Sequence, residues 1–364
     1  YIDNVGRISE IISSTDSVAG DDLYLSIDAD LQKATYLALQ NEIAAIVYSN
    51  IKSGEIPIND VYTALIGNSV INTEHFSKAK ASDTEKNVLS VFKSRQKTTL
   101  GKIKQELTSS PEALNTMSDE VLDEFTYIIS MLKDDQVILK NQIDTSDSVY
   151  QKWKNQKISP KENLSYCITQ HWIDISQLNV DEKYADSTEV YDALCKYILK
   201  NIKTDTEFSK IIYQYMITRG EISPRQLCLI LFDQGVLDYD DATVNKLKNG
   251  SLSPRDFLMK KIYNIEITPA QLALEPCTGS CVVTDEKTGE IRAMVSYPGY
   301  DSNKLANGVD SEYFASLQHD KSFPLLNYAT QQKTAPGSTF KLVSATAGLA
   351  ENVITTSDQI RCTG

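Results

Sequence analysis

The sequence predicts an α+β chain in which a small antiparallel sheet with its helices is interrupted by a large, mostly α-helical insertion. Three observations carry this. A short alternating segment near the start is followed by a long amphipathic run. The middle of the chain is punctuated by helix start signals. A hairpin pattern and one further helix occupy the last hundred or so residues.

At the start, Leu23, Leu25 and Ile27 alternate with Tyr24 and Ser26, which is the period of a half-buried strand. Asp28 is placed to cap a helix, and Leu31, Leu39, Ile43 and Ile46 fall on one face of it. Residues 1–50 are therefore a linker, a first strand and a first helix.

Residues 51–267 form the second segment. Five of the ten prolines follow Ser or Thr, at Ser110-Pro111, Ser159-Pro160, Ser223-Pro224, Ser253-Pro254 and Thr268-Pro269. A hydroxyl at the N-cap with proline in the first turn starts a helix, because proline lacks only an N–H that would be unpaired there. Ser159/Glu162, Ser223/Gln226 and Thr268/Gln271 also have capping-box spacing. Leu122, Phe125, Ile129 and Leu132 make an apolar stripe, and Trp153 and Trp172 are expected core anchors. Irregular spacing of the start signals excludes a solenoid repeat.

Residues 268–364 change character. After a short helix from Thr268, Cys281–Thr284 and Glu290–Val295 are β-rich, and Asp285–Gly289 between them has turn chemistry. Pro298-Gly299 opens a long loop. A helix begins after Pro336-Gly337 and runs to about Glu351, with Phe340, Val343, Ala347 and Ala350 expected on its buried side.

The balance of charge excludes some functions. A net charge of -13 leaves no electrostatic footprint for nucleic acid. His75, His171 and His319 have no partner at ligand spacing, so neither a metal nor an organic cofactor is implied. The six cysteines lack zinc-type spacing, and Cys277 and Cys281 read as thiols beside a strand. No apolar run is long enough for a membrane span. A membrane anchor, if the protein has one, lies outside this sequence.

Ser-x-x-Lys occurs several times, at Ser49/Lys52, Ser77/Lys80, Ser90/Lys93, Ser94/Lys97, Ser130/Lys133 and Ser338/Lys341. The first five read as solvated faces. At the last, Pro336-Gly337 sets a tight turn directly before the serine. A lysine three residues on can reach that hydroxyl, and as a neutral amine it can take the proton. Phe340 and the apolar helix are expected to supply the burial such an amine needs. The Ser338 N–H can contribute to an oxyanion hole. An ordinary capped helix explains the same spacing.

Ala335-Pro336-Gly337-Ser338-Thr339-Phe340-Lys341, with Asn327-Tyr328-Ala329-Thr330 before it, resembles the active-site entry of penicillin-binding proteins. Gly289–Asp301 resembles the hairpin and loop preceding it in that family, and Leu23–Asp28 with Leu31-Gln32 its first strand and helix. The resemblance covers roughly 23–50 and 279–364. It implies the penicilloyl-serine-transferase (transpeptidase) fold, incomplete at the C-terminus, of class B type. The activity implied is D,D-transpeptidation of peptidoglycan stem peptides, with β-lactams as inhibitors and Ser338 and Lys341 as catalytic residues. It also implies a site on the outer face of the cytoplasmic membrane. Tyr328 stands where the family usually has Arg, on the approach to the nucleophile. The family's Ser-x-Asn and Lys-Thr-Gly elements do not follow Lys341. Lys287-Thr288-Gly289 has the letters of the second but sits in a turn. The remaining C-terminal part of the same protein is thus an expected partner, and residues 1–364 alone are expected to be inactive. The insertion suggests, alternatively, a scaffold for division or elongation proteins, and a β-lactam sensor is a third reading.

Overall fold

A computed structural model describes residues 20–109, 112–180, 185–306, 308–359 and 361. Helix α1 (Ala29–Ser53) opens the regular structure, with the Asp28 carboxylate accepting the Leu31 N–H at 3.0 Å. The strand expected over Leu23–Ile27 does not form. Leu23 and Tyr24 are 85% and 89% exposed, so alternation alone has no partner face to bury. The apolar face of α1 also differs from expectation. Ile43, Val47 and Ile51 are buried, at spacing i, i+4, i+8, whereas Leu31 and Ile46 are exposed.

Ten α-helices follow within 51–267 among the described residues. They are α2 (Ile58–Gly67), α3 (Asp83–Thr108), α4 (Asp119–Asp134), α5 (Ser148–Lys154), α6 (Pro160–Thr169), α7 (Ser187–Ile202), α8 (Thr206–Thr218), α9 (Pro224–Asp233), α10 (Asp241–Asn249) and α11 (Pro254–Tyr263). The caps explain the starts. Ser159, Ser223 and Ser253 accept the N–H three residues on, at 3.1, 3.3 and 3.0 Å. Ser223 has the reciprocal bond of a capping box, but Glu162 does not return one to Ser159. Ser110-Pro111 lies outside the described residues. Helix α8 packs against α2, α3 and α4, and its Tyr213 ring stacks on Phe92 at 4.2 Å. Trp172 is buried and Trp153 half-buried, as core anchors should be.

Helix α12 (Pro269–Leu272) leads into β1 (Gly279–Thr284) and β2 (Ile291–Tyr297), an antiparallel pair in which Gly279 faces Tyr297 and Cys281 faces Val295. The turn between them is held by Asp285, whose carboxylate accepts the Lys287 and Thr288 N–H groups at 2.8 and 3.0 Å. This is the local role of Lys287-Thr288-Gly289. Cys277 and Cys281 are free, as are Cys167, Cys195 and Cys228. Helices α13 (Ser311–His319), α14 (Tyr328–Gln331) and α15 (Phe340–Ala350) complete the described chain. Among the described residues no helix is long and apolar enough to cross a membrane.

The helical core does not stop at 51 and 267. One contiguous apolar cluster runs from Val47 and Ile51 of α1 to Leu272 of α12, all essentially without exposure. A segment spanning 42–274 should therefore give a helical circular dichroism spectrum and a cooperative melt. A segment spanning 51–267 lacks Val47 and Leu272, and large buried side chains are worth about 2–5 kcal/mol each. It should melt several degrees lower, and equal melting of the two would place the boundary at 51 and 267 after all.

Two polar clusters lie inside this core. Glu85 accepts from Gln234 Nε2, from the Ser82 N–H and at His75 Nδ1, each at 2.7 Å. Burial alone would push the Glu85 carboxyl up, but these bonds outweigh it and hold it below its usual value. The second cluster joins α3, α4 and α8. Glu120 takes Arg95 Nη2 at 2.8 Å and Arg219 Nη2 at 2.5 Å. One turn on, Glu124 is 2% exposed, and burial, reinforced by Glu120, pushes its carboxyl up to about 8. The folded chain then holds a proton that the unfolded chain releases near 4.5. The stability this group contributes is present in acid and is lost as pH rises through 8. Glu124→Gln should be close to neutral at pH 5 and should raise the melting temperature at pH 9. A variant less stable than the parent at pH 9 would show that Glu124 is charged and paired.

Candidate active site

The candidate site is built outward from β2. The edge of β2 away from β1 is occupied by the start of α1. The Asp28 N–H donates to the Arg292 carbonyl at 2.9 Å, and Ser26 Oγ donates to the Ile291 carbonyl at 2.7 Å. The Gln32 side chain then takes the place of a neighbouring strand. Its Nε2 donates to the Met294 carbonyl at 2.6 Å and its Oε1 accepts the Met294 N–H at 2.8 Å. One amide side chain satisfies both backbone groups of an edge residue.

The buried face of the sheet rests on the same helix. The Tyr36 and Tyr297 rings sit 5.6 Å apart. Gly279 is required by the closeness of the contact, since a Cβ there would lie 3.1 Å from Ile43 Cδ1 and 3.3 Å from Leu39 Cδ1. Two hydrogen bonds lie at the junction with the helical domain. Lys321 Nζ donates to the Gly67 carbonyl at 3.1 Å, and Asn68 Nδ2 donates to the Leu272 carbonyl.

The chain reaches the serine by way of α14. Asn327 caps α14 by accepting the Ala329 N–H at 3.1 Å, and Ser296 Oγ of β2 hydrogen-bonds Asn327 Oδ1 at 3.2 Å. Tyr328, where the family usually has Arg, is the first residue of α14. It is buried, and its hydroxyl donates to the Ser322 carbonyl at 2.8 Å. Burial pushes its phenol up.

Ser338 lies in a 3₁₀ turn, Gly337–Thr339, that runs directly into α15. Gly337 has φ +54°, a left-handed conformation that glycine adopts without strain. The Pro336 carbonyl accepts both the N–H and the hydroxyl of Thr339. Ser338 and Lys341 are thus brought onto adjoining turns at the start of one helix, but no hydrogen bond joins them among the described residues. The burial expected here is absent. No residue of α15 is buried, and Phe340 and Leu342 are 52% and 76% exposed. The reason is geometric, since among the described residues α15 packs on the turn before it and on no strand or other helix in any extended contact. Local geometry therefore does not separate Ser338 from Ser90/Lys93 or Ser94/Lys97, which lie on the exposed face of α3.

The comparisons with known proteins concern the segment that contains Ser338. Residues 279–364 match a family model described as the penicillin binding protein transpeptidase domain. Over 77 residues the chain is 43% identical to the peptidoglycan D,D-transpeptidase PbpA of Mycolicibacterium smegmatis, a match covering 20% of this chain and 16% of that protein. Over 74 residues it is 43% identical to the peptidoglycan D,D-transpeptidase MrdA of Escherichia coli K12, covering 20% and 12%. Over 82 residues it is 43% identical to MrdA of Haemophilus influenzae, covering 22% and 13%. The chain thus spans less than a fifth of the length of these curated relatives. No solved structure matches it. Residues 279–364 are thus similar to the penicillin binding protein transpeptidase domain, and the relatives matched there are peptidoglycan D,D-transpeptidases.

Sequence reasoning missed Gln32 as the clamp on β2, having placed it only within a resemblance. It also missed Glu85, although Ser82 and Glu85 have the capping-box spacing that would have drawn attention to it. Nothing in the sequence signals that Gln32 reaches a strand more than 250 residues away. Gln32→Ala should leave the Met294 N–H and carbonyl without protein partners. The cost should be roughly 1–3 kcal/mol, read as faster amide exchange across Ile291–Tyr297 with the helical domain unchanged. Unchanged exchange at Met294 would mean the clamp does not hold the strand.

Proposed function

We propose that the protein containing this chain is a peptidoglycan D,D-transpeptidase working through a serine acyl-enzyme, with Ser338 as nucleophile and Lys341 as general base. The observation that carries the reading is the Pro-Gly-Ser-x-x-Lys turn at the start of α15, lying inside the segment that matches the transpeptidase family. The Ser338 hydroxyl attacks the carbonyl of the penultimate D-alanine of a stem peptide as Lys341 takes its proton. The terminal D-alanine leaves as the free amino acid with that proton. A peptidoglycan amine then attacks the acyl-serine, forming the cross-link and returning the hydrogen to Ser338. β-Lactams acylate the same oxygen.

This site works on the outer face of the cytoplasmic membrane, where its substrate is. The apolar side of α15 is covered there by further parts of the transpeptidase domain. These also supply a second oxyanion donor and a clamp for the substrate carboxylate. Division or elongation proteins are the partners expected for such an enzyme.

The test uses fluorescent penicillin and intact mass. In the longer protein Ser338→Ala should abolish labelling, and Lys341→Ala should slow acylation by several orders of magnitude while leaving the melt unchanged. Labelling that survives Ser338→Ala but is lost on mutating Ser90 or Ser94 would overturn the assignment. Residues 1–364 alone should not label stoichiometrically, because losing one oxyanion donor costs roughly a hundred- to a thousand-fold in rate and the carboxylate clamp goes with it.

A further inference from the structure

The helical domain carries a groove of about 500 Å³ between α3 and the C-terminal end of α7, unrelated to the site at Ser338. Its rim is Lys93, Lys97 and Lys104 from one face of α3 and Lys203 from the end of α7, all exposed. No carboxylate lines it. Among the described residues none of these four lysines takes part in an ion pair. In a chain of net charge -13, four unpaired cations around one groove are not the average surface. The floor between them is apolar, formed by half-buried Leu100 and Leu199. Gln96 fixes the two helices together, its Nε2 donating to the Lys203 carbonyl at 3.0 Å.

A second observation is independent of charge. Gly101 opens onto this groove from the interior of a 26-residue helix. Glycine there is unfavourable relative to alanine. Neither a left-handed backbone nor crowding calls for it, because nothing lies within 4 Å of where its Cβ would be. What glycine does at such a place is let another chain come close to the helix backbone.

We propose that this groove binds an acidic amphipathic peptide segment of a partner protein, seating an apolar side chain over Gly101 between Leu100 and Leu199 with carboxylates against the lysine rim. The features select among anions. An anionic membrane would use the lysines alone and leaves the apolar floor and Gly101 without a role. Nucleic acid is commonly held by arginine and aromatic rings, and the groove offers neither. An acidic helix or extended segment has both parts, charges that steer and an apolar anchor that holds.

The test uses the whole chain and a defined probe, a fluorescein-labelled 14-residue peptide of Glu and Asp with Leu at positions 4, 7, 8 and 11. Saturable binding in fluorescence anisotropy is expected, weakening several-fold as salt is raised from about 50 to 300 mM. Gly101→Gln leaves every charge in place and favours the helix, so the melt should hold or rise while affinity falls at least about tenfold. Lys97→Glu with Lys104→Glu should lower affinity by at least as much, and so should replacing the peptide leucines by serine. Absence of saturable binding overturns the proposal, as does binding indifferent to Gly101→Gln or to the leucines. Sedimentation with phosphatidylglycerol vesicles that Gly101→Gln leaves unchanged, without peptide binding, would assign the lysines to lipid and overturn it equally.

Discussion

Helix α1 belongs to two cores at once, and the architecture depends on that sharing. Along its second half Val47 and Ile51 enter the apolar cluster of the helical domain. Along its first half Tyr36 and Leu39 pack on the sheet and Gln32 hydrogen-bonds β2. Ile43 meets Gly279 between them. A single helix of 25 residues spans roughly 37 Å at the usual rise. It carries the register of one core into the other without a hinge. The Lys321 and Asn68 contacts lock the same junction from its other side. The insertion is therefore joined to the segment that carries the sheet as a continuous body rather than tethered by linkers.

The sheet gains from this what two strands cannot supply. An isolated hairpin is marginal in water. Here one face is covered by α1, and the outer edge of β2 is satisfied by backbone and side-chain groups from the same element. Beyond β2 the support thins. Helix α14 is tied to the strand through Asn327 and Ser296, but α15 is an apolar helix lying open. Its sequence is that of a core helix, with Phe340, Leu342, Val343 and Leu349 all exposed. Under the proposed function the same exposure explains why the serine and lysine are correctly ordered in sequence yet not engaged with each other.

What could be read from the sequence was whatever local chemistry determines. The Ser-Pro starts at 159, 223 and 253 fixed helix beginnings because a hydroxyl cap and a proline act within one turn. The Asp285–Gly289 turn and the Pro-Gly step before Ser338 were legible for the same reason. Where a partner from far along the chain decides, the pattern misled. Leu23–Ile27 alternates like a strand but forms no strand ladder among the described residues, touching β2 through the Ser26 hydroxyl. The buried face of α1 is set by what it packs on, so Ile43 is buried as expected but Val47 and Ile51 take the place of Ile46 at its C-terminal end. Phe340 and Val343 look buried in sequence and are not. The Glu124 environment arises from α3 and α8 converging on α4, which no spacing within α4 predicts. Ser338 was singled out by its resemblance to a family, since local geometry does not distinguish it, and it lies inside the matched range 279–364.

Amide hydrogen exchange along α1 in the intact chain tests the shared helix most directly. If α1 bridges two cores, amides of 32–43 are protected together with those of β2, and amides of 44–53 are protected to the level of the buried helices α8 and α9. No stretch between them exchanges early. Exchange of 29–43 at the rate of an unstructured peptide, with 44–53 still protected, would mean that α1 serves the helical domain alone and that the sheet is held by something else.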